Sequence, residues 1–251
     1  MTHPIVIIGT GLAGYSTARE LRKLDKETPL VVISADDGQF YSKPMISNAL
    51  ASSKTAQTLP INSAVQMAKQ VNATVRTRTR VSAIDPAAHQ VTIGTESVGY
   101  AKLVLAAGAD QIRLELAGDG ADQVLSVNDL IDYARFRAAI EGAKNIVILG
   151  AGLIGCEFAN DLAGAGFEVD ILDIAPQPLG RLLTPAGGAI MQRKLAAAGI
   201  RWHLNTSAAS VERAGQKLRV TLTNGEQLSA DAVLSAIGLR PRTGLAQAAG
   251  L

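Results

Sequence analysis

Cysteine is nearly absent from this sequence. Cys156 is the one cysteine among 251 residues, so an internal disulfide and a Cys-x-x-Cys redox pair are both excluded. Histidine is also scarce, and His3, His89 and His203 show neither metal-ligand spacing nor a pattern for nucleophilic catalysis. We therefore expect no metal site and no redox-active cysteine pair.

Long apolar runs and a strong net charge are lacking too. No apolar stretch reaches the roughly 18–20 residues that a membrane-spanning helix needs, and the first residues do not have the pattern of a secretory signal. The formal net charge of +2 is too small to indicate a nucleic-acid partner. We therefore expect a cytoplasmic protein with no membrane insertion and no nucleic-acid partner.

One local concentration of charge needs an interpretation. Arg76, Arg78 and Arg80 alternate with threonines, so a strand through them would place all three guanidinium groups on one face. This face would be either a solvated strand surface, which is the more common case, or a surface for an acidic partner protein.

The sequence does contain a repeated glycine motif. A β-branched run over 5–8 leads into Gly-x-Gly-x-x-Gly at 9–14, and a similar run over 146–149 leads into the same motif at 150–155. The first glycine makes the turn, the second lets a pyrophosphate approach the backbone, and the third lets the helix pack on the strand. A single motif could serve helix–strand packing alone, whereas two in the same context indicate two bound dinucleotides.

The elements predicted around the two motifs repeat in the same order. Each unit has a strand, a helix, a second strand and a later strand that ends in a small-residue turn: 5–8, 12–24, 30–33 and 102–108, then 146–149, 153–165, 168–172 and 231–237. The predicted fold class is α/β, with two Rossmann-like doubly wound dinucleotide-binding domains over 1–112 and 113–237. A further helix is predicted over 128–140, with Asn128 as its N-cap.

An acidic residue follows the second strand of each unit. Asp36 lies just beyond the first of these strands, and Asp173 follows the second. An acid roughly 20 residues after the first glycine accepts a hydrogen bond from the ribose 2′-OH in NAD sites. Such an acid would repel the 2′-phosphate of NADP, and no arginine stands beside Asp173. We therefore predict NAD rather than NADP at the second motif.

Several passages resemble the pyridine nucleotide-disulfide oxidoreductase superfamily, and within it the ferredoxin-reductase-like branch. The two strand-to-turn segments of that family resemble 105–109 and 235–241. Its glycine motifs and the segment that runs beside its flavin resemble 8–15, 36–45 and 149–162. The resemblance therefore covers essentially the whole sequence, in order.

The resemblance implies FAD at the first motif and NADH at the second. With the motif positions, it gives these predicted cofactor-binding residues: Gly9, Thr10, Gly11, Leu12, Ala13, Gly14, Ser34, Ala35, Asp36, Lys43, Val81, Ala107, Gly108, Gly150, Gly152, Leu153, Ile154, Gly155, Glu157, Asp173 and Gly238. It also implies catalytic roles for Lys43, beside the flavin, and for Glu157, near both rings. Without the family, Lys43 would be a surface lysine and Glu157 an acid that stabilises the helix dipole.

The missing cysteines narrow the implied reaction. Disulfide reductases of the family use a cysteine pair beside the flavin, and related peroxidases and oxidases use a single cysteine, but the segment after Tyr41 contains neither. Cys156 lies inside the second glycine motif and is interpreted as structural. The resemblance then implies that electrons pass from NADH through FAD to rubredoxin, which would supply an oxygenase such as an alkane hydroxylase. Ferredoxin is the alternative acceptor.

The C-terminal end departs from the family pattern. Family members continue with a Gly-Asp element that contacts the flavin and with a C-terminal interface domain, whereas this sequence ends at Leu251. We therefore expect the interface domain to be absent and the first domain to be incomplete, with its returning segment beginning near 238–251. These residues would then bind FAD weakly or not at all, and a non-catalytic nucleotide-binding fragment stays open as a third interpretation.

Overall fold

The computed structural model describes residues 3–251, which form two compact units. The first unit consists of the chain up to Lys43 together with Thr58–Asp110 and Pro241–Leu251. The second consists of Pro44–Gln57 and Gln111–Arg240. Each unit therefore gathers segments that are far apart in the sequence.

From residue 3 to Ala139, the described part of the chain contains nine strands, three α-helices and two 3-10 helices. In chain order these are β1 (Ile5–Ile8), α1 (Leu12–Leu24), β2 (Leu30–Ile33), a 3-10 helix (Lys43–Asn48), α2 (Ala64–Gln70), β3 (Thr74–Arg76), β4 (Val81–Asp85), β5 (Gln90–Ile93), β6 (Glu96–Gly99), β7 (Lys102–Leu105), β8 (Ala109–Gln111), a second 3-10 helix (Ala121–Gln123), β9 (Leu125–Ser126) and α3 (Leu130–Ala139).

The remaining part begins at the strand before the second glycine motif. Its elements are β10 (Asn145–Leu149), α4 (Leu153–Gly164), β11 (Glu168–Asp173), α5 (Pro185–Ala197), β12 (Arg201–Leu204), β13 (Ala208–Ala214), β14 (Lys217–Leu222), β15 (Gln227–Ala230), β16 (Ala232–Ser235), β17 (Leu239–Pro241) and α6 (Gly244–Ala248).

The first unit is built on a parallel sheet with the strand order β3-β2-β1-β7. On one side, Ile7 and Val32 pack with Tyr15 of α1 and Met67 of α2. The other side packs against the antiparallel sheet β4-β5-β6 and against α6. Because both faces are covered, the central strands are short continuous apolar runs without polar alternation.

The second unit repeats this plan around β10. Its parallel sheet has the order β12-β11-β10-β16-β9, so β10, β11, β12 and β16 correspond to β1, β2, β3 and β7. The antiparallel sheet β13-β14-β15 packs on one face through Val147, Leu172 and Val220. Phe136 of α3 and Phe158 of α4 pack together with ring centroids 5.6 Å apart. The predicted α/β fold class is thereby confirmed.

The boundaries between the two compact units fall within β8, after residue 110, and within β17, after residue 240. Residues 44–57 belong to the second unit. Hydrogen bonds explain that assignment: the Lys54 carbonyl accepts from the side chains of Tyr133 and Arg137, at 3.2 and 3.0 Å. Pairing between residues so distant in sequence leaves no local pattern. The boundaries of the nucleotide-binding domains at 112 and 237 stay a prediction.

The three alternating arginines do not lie on one strand. β3 ends at Arg76, and Arg78 takes a left-handed backbone conformation with φ of +50°. The Arg78 N–H donates to the Asp36 carbonyl at 2.6 Å, and the Thr79 N–H donates to the Ser34 carbonyl at 2.7 Å. The segment after β3 therefore supports the end of β2, and the three arginines do not share a strand face.

The predicted cap of α3 is displaced by one residue. Asp129, not Asn128, is the N-cap, and its side chain accepts from the Asp132 N–H at 2.8 Å. Both residue types cap helices well, so sequence preference alone does not decide between neighbours.

Within residues 3–251, no helix is long and apolar enough to cross a membrane. A search of the same residues finds no group of three or more His, Cys, Asp or Glu side chains that could hold a metal ion.

Candidate nucleotide-binding sites

The first and third glycines of the first motif are closely packed. Gly9 follows β1 with φ of +114°, and a Cβ at this position would overlap the carbonyl oxygen of Ala106. A Cβ on Gly14 would overlap the carbonyl oxygen of Gly9. These two positions therefore need glycine for reasons of packing and backbone conformation.

The middle glycine has a different environment. A Cβ on Gly11 would meet no atom within 4 Å, and Gly11 is the N-cap of α1 without a side-chain capping bond. The next residues, Leu12 and Ala13, are exposed and no acidic residue occupies the first turn. The N–H groups of that turn are thus open to an anion, which is the arrangement that a pyrophosphate requires.

Asp36 is held by a short chain of hydroxyl groups. The Thr10 hydroxyl donates to Ser34 Oγ at 2.7 Å, and the Ser34 hydroxyl donates to Asp36 Oδ1 at 2.5 Å. The Gly38 N–H also donates to Asp36 Oδ1, at 2.9 Å. Thr10 and Ser34 are buried, whereas Asp36 itself is exposed. The buried hydroxyls therefore orient the carboxylate while it stays accessible to solvent, as binding of a ribose requires.

The second motif has the same main-chain geometry. Gly150 has φ of +105°, and a Cβ there would lie 2.8 Å from the Ala236 carbonyl oxygen. A Cβ on Gly155 would overlap the carbonyl oxygen of Gly150, while Gly152 has open space within 4 Å and no side-chain capping bond on α4. Leu153 is exposed beside it, and Ile154 is half-buried. This helix N-terminus can also receive an anion.

Asp173 is oriented by backbone amides. Its Oδ2 accepts from the Ala151 N–H at 2.6 Å and its Oδ1 from the Ala175 N–H at 2.8 Å. Each carboxylate oxygen has a further lone pair, so Asp173 can still accept hydrogen bonds from a diol. The Ala151 contact ties this acid directly to the glycine loop.

The remaining first-unit residues lie where the sheet strands end. Ala107 and Gly108 follow β7, and the Gly108 carbonyl accepts from the Arg242 N–H at 2.9 Å. The Arg242 side chain also bonds Asp110, with Nε to Oδ1 at 2.8 Å. Arg242 thus holds the turn at 107–110, and no sequence motif indicated it.

Two further predicted residues of this unit lie at element starts. Val81 begins β4 and is half-buried, and Lys43 begins the first 3-10 helix. Ala35 is exposed next to Asp36. The first unit therefore brings together the glycine motif, Ser34 and Asp36, while contacts of Lys43 and Val81 with a flavin stay predictions.

Glu157 lies in the second unit with a partner that the sequence did not indicate. It is half-buried in α4, and its Oε2 accepts from Ser47 Oγ at 2.5 Å. Gly238 follows β16 with φ of +124°, and its carbonyl accepts from the Ile112 N–H at 3.0 Å. Ser47 is 110 residues from Glu157 in sequence, so no local signal could have found the pair.

Cys156 is buried in the first turns of α4, where Sγ lies 3.4 Å from the Ala151 carbonyl oxygen. Burial, with smaller effects of Asp173 and Glu157, raises the pKa of its thiol to about 12. The thiolate is the reactive form of cysteine. Cys156 is therefore suited to packing and not to redox chemistry.

Comparison with known proteins places the chain in a family. Residues 3–251 match the family described as pyridine nucleotide-disulphide oxidoreductase. The chain is 49% identical to the rubredoxin-NAD(+) reductase of Alcanivorax borkumensis and 48% identical to that of Acinetobacter baylyi, over 99% of its own length. It spans 65% of the length of each of these relatives.

Solved structures support the same assignment. A ferredoxin reductase from Rhodopseudomonas palustris superposes with a TM-score of 0.90 at 28% identity, covering 100% of this chain and 62% of the other. The putidaredoxin reductase of a covalent complex with putidaredoxin gives a TM-score of 0.89 at 30% identity, covering 99% and 61%. The chain belongs to the pyridine nucleotide-disulphide oxidoreductase family, whose members use FAD and NAD(H).

Proposed function

We propose that this chain forms the nucleotide-binding part of an NADH-dependent flavoprotein reductase that delivers electrons to rubredoxin. One observation carries the proposal: both units present the same anion site, in which Gly11 or Gly152 leaves open space before an uncapped helix. Two such sites suit a reaction that brings two dinucleotides to one protein.

In the first unit, the N–H groups of the first turn of α1 would hold the pyrophosphate of FAD. Asp36 would accept from the ribose, with Thr10 and Ser34 fixing its orientation. Ala107 and Gly108 would line the site beyond β7, and the backbone of Val81 would meet the adenine. Each of these contacts uses groups that the fold already holds in place.

In the second unit, the first turn of α4 would hold the pyrophosphate of NADH. Asp173 would accept from the adenosine ribose and would repel a 2′-phosphate, because its carboxylate is fixed by two amides and no arginine is adjacent. We therefore propose NADH as the donor in preference to NADPH.

The residues proposed for catalysis are Glu157 and Lys43, which would position the nicotinamide and the flavin. The chemistry that FAD supplies when bound is the acceptance of a hydride and the release of single electrons. Hydride transfer depends on orientation and electrostatics and requires no cysteine pair. The buried thiol of Cys156 is consistent with such a reaction.

Rubredoxin is proposed as the acceptor because two relatives at 48% and 49% identity bear the name rubredoxin-NAD(+) reductase. We further propose a cytoplasmic location and an oxygenase as the final consumer of the electrons. Ferredoxin is the second candidate, since a ferredoxin reductase superposes on the whole chain.

The decisive experiment measures NADH-driven reduction of purified rubredoxin and of purified ferredoxin by the protein supplied with FAD. We expect rubredoxin to be reduced faster, and NADPH to be a poorer donor than NADH. Faster reduction of ferredoxin would make ferredoxin, and not rubredoxin, the proposed acceptor. Failure to oxidise NADH with either carrier would contradict the proposal.

A further inference from the structure

A short segment that the sequence places after Lys43 is attached to the second unit through α4. The segment begins with the 3-10 helix Lys43–Asn48, in which Ser47 is buried and 4% exposed. Ser47 Oγ lies 2.5 Å from Glu157 Oε2. A buried hydroxyl thus meets the carboxylate proposed to position the nicotinamide.

The geometry favours Ser47 as the donor to Glu157. A serine hydroxyl has one proton, and Ser47 Oγ has a second acceptor in range, the Pro44 carbonyl oxygen at 3.1 Å. The shorter contact is the one to the carboxylate, as expected for a charge-assisted O–H···O⁻ bond. The Pro44 carbonyl oxygen is then the weaker, competing acceptor for the same proton.

The segment has a second, independent anchor one turn further along α4. Asp161 is 3% exposed, and its two oxygens accept from the N–H groups of Leu50 and Ala51 at 2.9 and 2.7 Å. Residues four apart on a helix lie on the same face, so Glu157 and Asp161 form one acidic stripe beneath the segment. Loss of the Ser47 hydroxyl would leave the Asp161 anchor in place.

We infer that Ser47 is a positioning residue for Glu157. A glutamate side chain loses considerable rotamer freedom when it is fixed, and a hydrogen bond made before the substrate arrives lowers the entropy lost on binding. Ser47 therefore holds the carboxylate in the orientation that receives the nicotinamide. This inference rests on the proposed function, because it assumes NADH at the second motif.

The test compares steady-state oxidation of NADH by the FAD-supplied protein and by Ser47→Ala. We expect KM for NADH to rise about tenfold, the effect of a hydrogen bond to a charged group, with kcat little changed. Ser52→Ala is the matched control, because Ser52 is exposed in the same segment and its hydroxyl lies within reach of the Asn48 and Ala49 backbone carbonyls. It should leave KM unchanged, and Ser47→Thr, which keeps a hydroxyl, should restore most of the affinity.

A double-mutant cycle separates positioning from folding. In a Glu157→Ala background, Ser47→Ala should cause no further rise in KM, because the group that it positions is gone. Thermal unfolding of each variant measures the structural contribution.

Several outcomes would overturn the inference. These are an unchanged KM in Ser47→Ala, a lower melting temperature as its sole effect, or an undiminished effect of Ser47→Ala when Glu157 is already alanine. If the parent protein does not oxidise NADH, the proposed function fails, and this inference fails with it.

Discussion

The two units copy one main chain but anchor their acids differently. Gly9 and Gly150 have φ values of +114° and +105°, and Gly14 and Gly155 each leave no room for a Cβ above the first glycine. Asp36, however, accepts from the Ser34 hydroxyl, which Thr10 orients, and from the Gly38 amide, whereas Asp173 accepts from the Ala151 and Ala175 amides. The duplicated backbone gives both helix N-termini the geometry to receive an anion. The hydrogen-bond donors to the two acids differ between the units.

The segment that follows the second strand also differs between the units. After β11 the chain reaches α5 within a short loop, but between β2 and α2 it passes through residues 34–63, part of which joins the second unit. That inserted segment supplies Ser47 to Glu157. The structural differences between the two units therefore lie in inserted segments and side chains and not in the shared sheet plan.

The largest expected effect comes from the third glycine of either motif. Gly14→Ala and Gly155→Ala should each destabilise their own unit by about 3 kcal/mol, because the added methyl group overlaps a backbone carbonyl oxygen that has little freedom to move. Chemical denaturation followed by circular dichroism measures the loss. A variant that folds with unchanged stability would show that the two helix–strand contacts are looser than the structure has them.

The acids should separate the ligands of the two sites. Asp173→Ala should weaken NADH binding about tenfold or more and reduce the preference over NADPH, because a charged acceptor is lost and two amides lose their partner. Asp36→Ala, its counterpart in the first unit, should leave NADH affinity unchanged. Fluorescence titration with both nucleotides provides the comparison, and equal losses in the two variants would contradict the assignment of NADH to the second motif.

The folding stability of both units should fall at acidic pH, and a substitution in one unit should reduce this pH dependence for that unit. Hydrogen bonds from the Asn145 and Lys144 amides and from Lys217, stronger than the opposing effect of burial, lower the pKa of Asp231 from 3.8 to about 2. A lowered pKa stabilises the fold above the unfolded value of 3.8, and that contribution disappears as the pH falls towards 2. Asp231→Asn should therefore flatten the dependence of stability on pH in this window.

In the first unit, Thr28 and the Glu27 amide lower the pKa of Asp25 to about 2. Asp25→Asn is therefore the matched variant, and it should flatten the same window through the first unit. Unfolding measured from pH 5 to pH 2 tests both variants, and an unaltered slope in Asp231→Asn would show that its carboxylate is not held in solution as it is in the structure.

The smallest expected signal is the rate at which Cys156 is alkylated in the native protein. Burial raises the pKa of this thiol to about 12, so iodoacetamide should modify the native protein at neutral pH very slowly. Because this is the one cysteine in the sequence and it lies in the second unit, its labelling reports opening of that unit. Gly155→Ala should accelerate labelling and Gly14→Ala should not, and rapid labelling of the parent would refute the structural role.

The shared sheet could be predicted from sequence because its signals are local. The buried runs at 5–8 and 146–149 enter glycine turns, and the structure forms β1 and β10 there. α1 was predicted at its observed bounds for the same reason. Local apolar patterns and glycine turns were sufficient for this part of the fold.

Hydrogen bonds between residues distant in sequence could not be predicted in this way, because they leave no local pattern. Arg78 interrupts the alternation of arginine and threonine, because its amide donates to a carbonyl beyond β2 and its backbone is left-handed. Ser47, Asp161 and Arg242 are single polar residues whose partners are distant in sequence. No spacing rule identifies such residues, although the i,i+4 pair Glu157 and Asp161 was a visible sign of an acidic helix face.

The second glycine motif should bind NADH and the first should not. Calorimetric titration of NADH into the parent protein, Gly152→Ala and Gly11→Ala distinguishes the two motifs, since both substitutions enter open space and should change stability by no more than about 1 kcal/mol. Gly152→Ala should lose NADH affinity at least about tenfold, because the methyl group blocks the approach of the pyrophosphate, while Gly11→Ala should keep it. Full NADH affinity in Gly152→Ala, or its loss in Gly11→Ala, would show that NADH does not use the second motif as proposed.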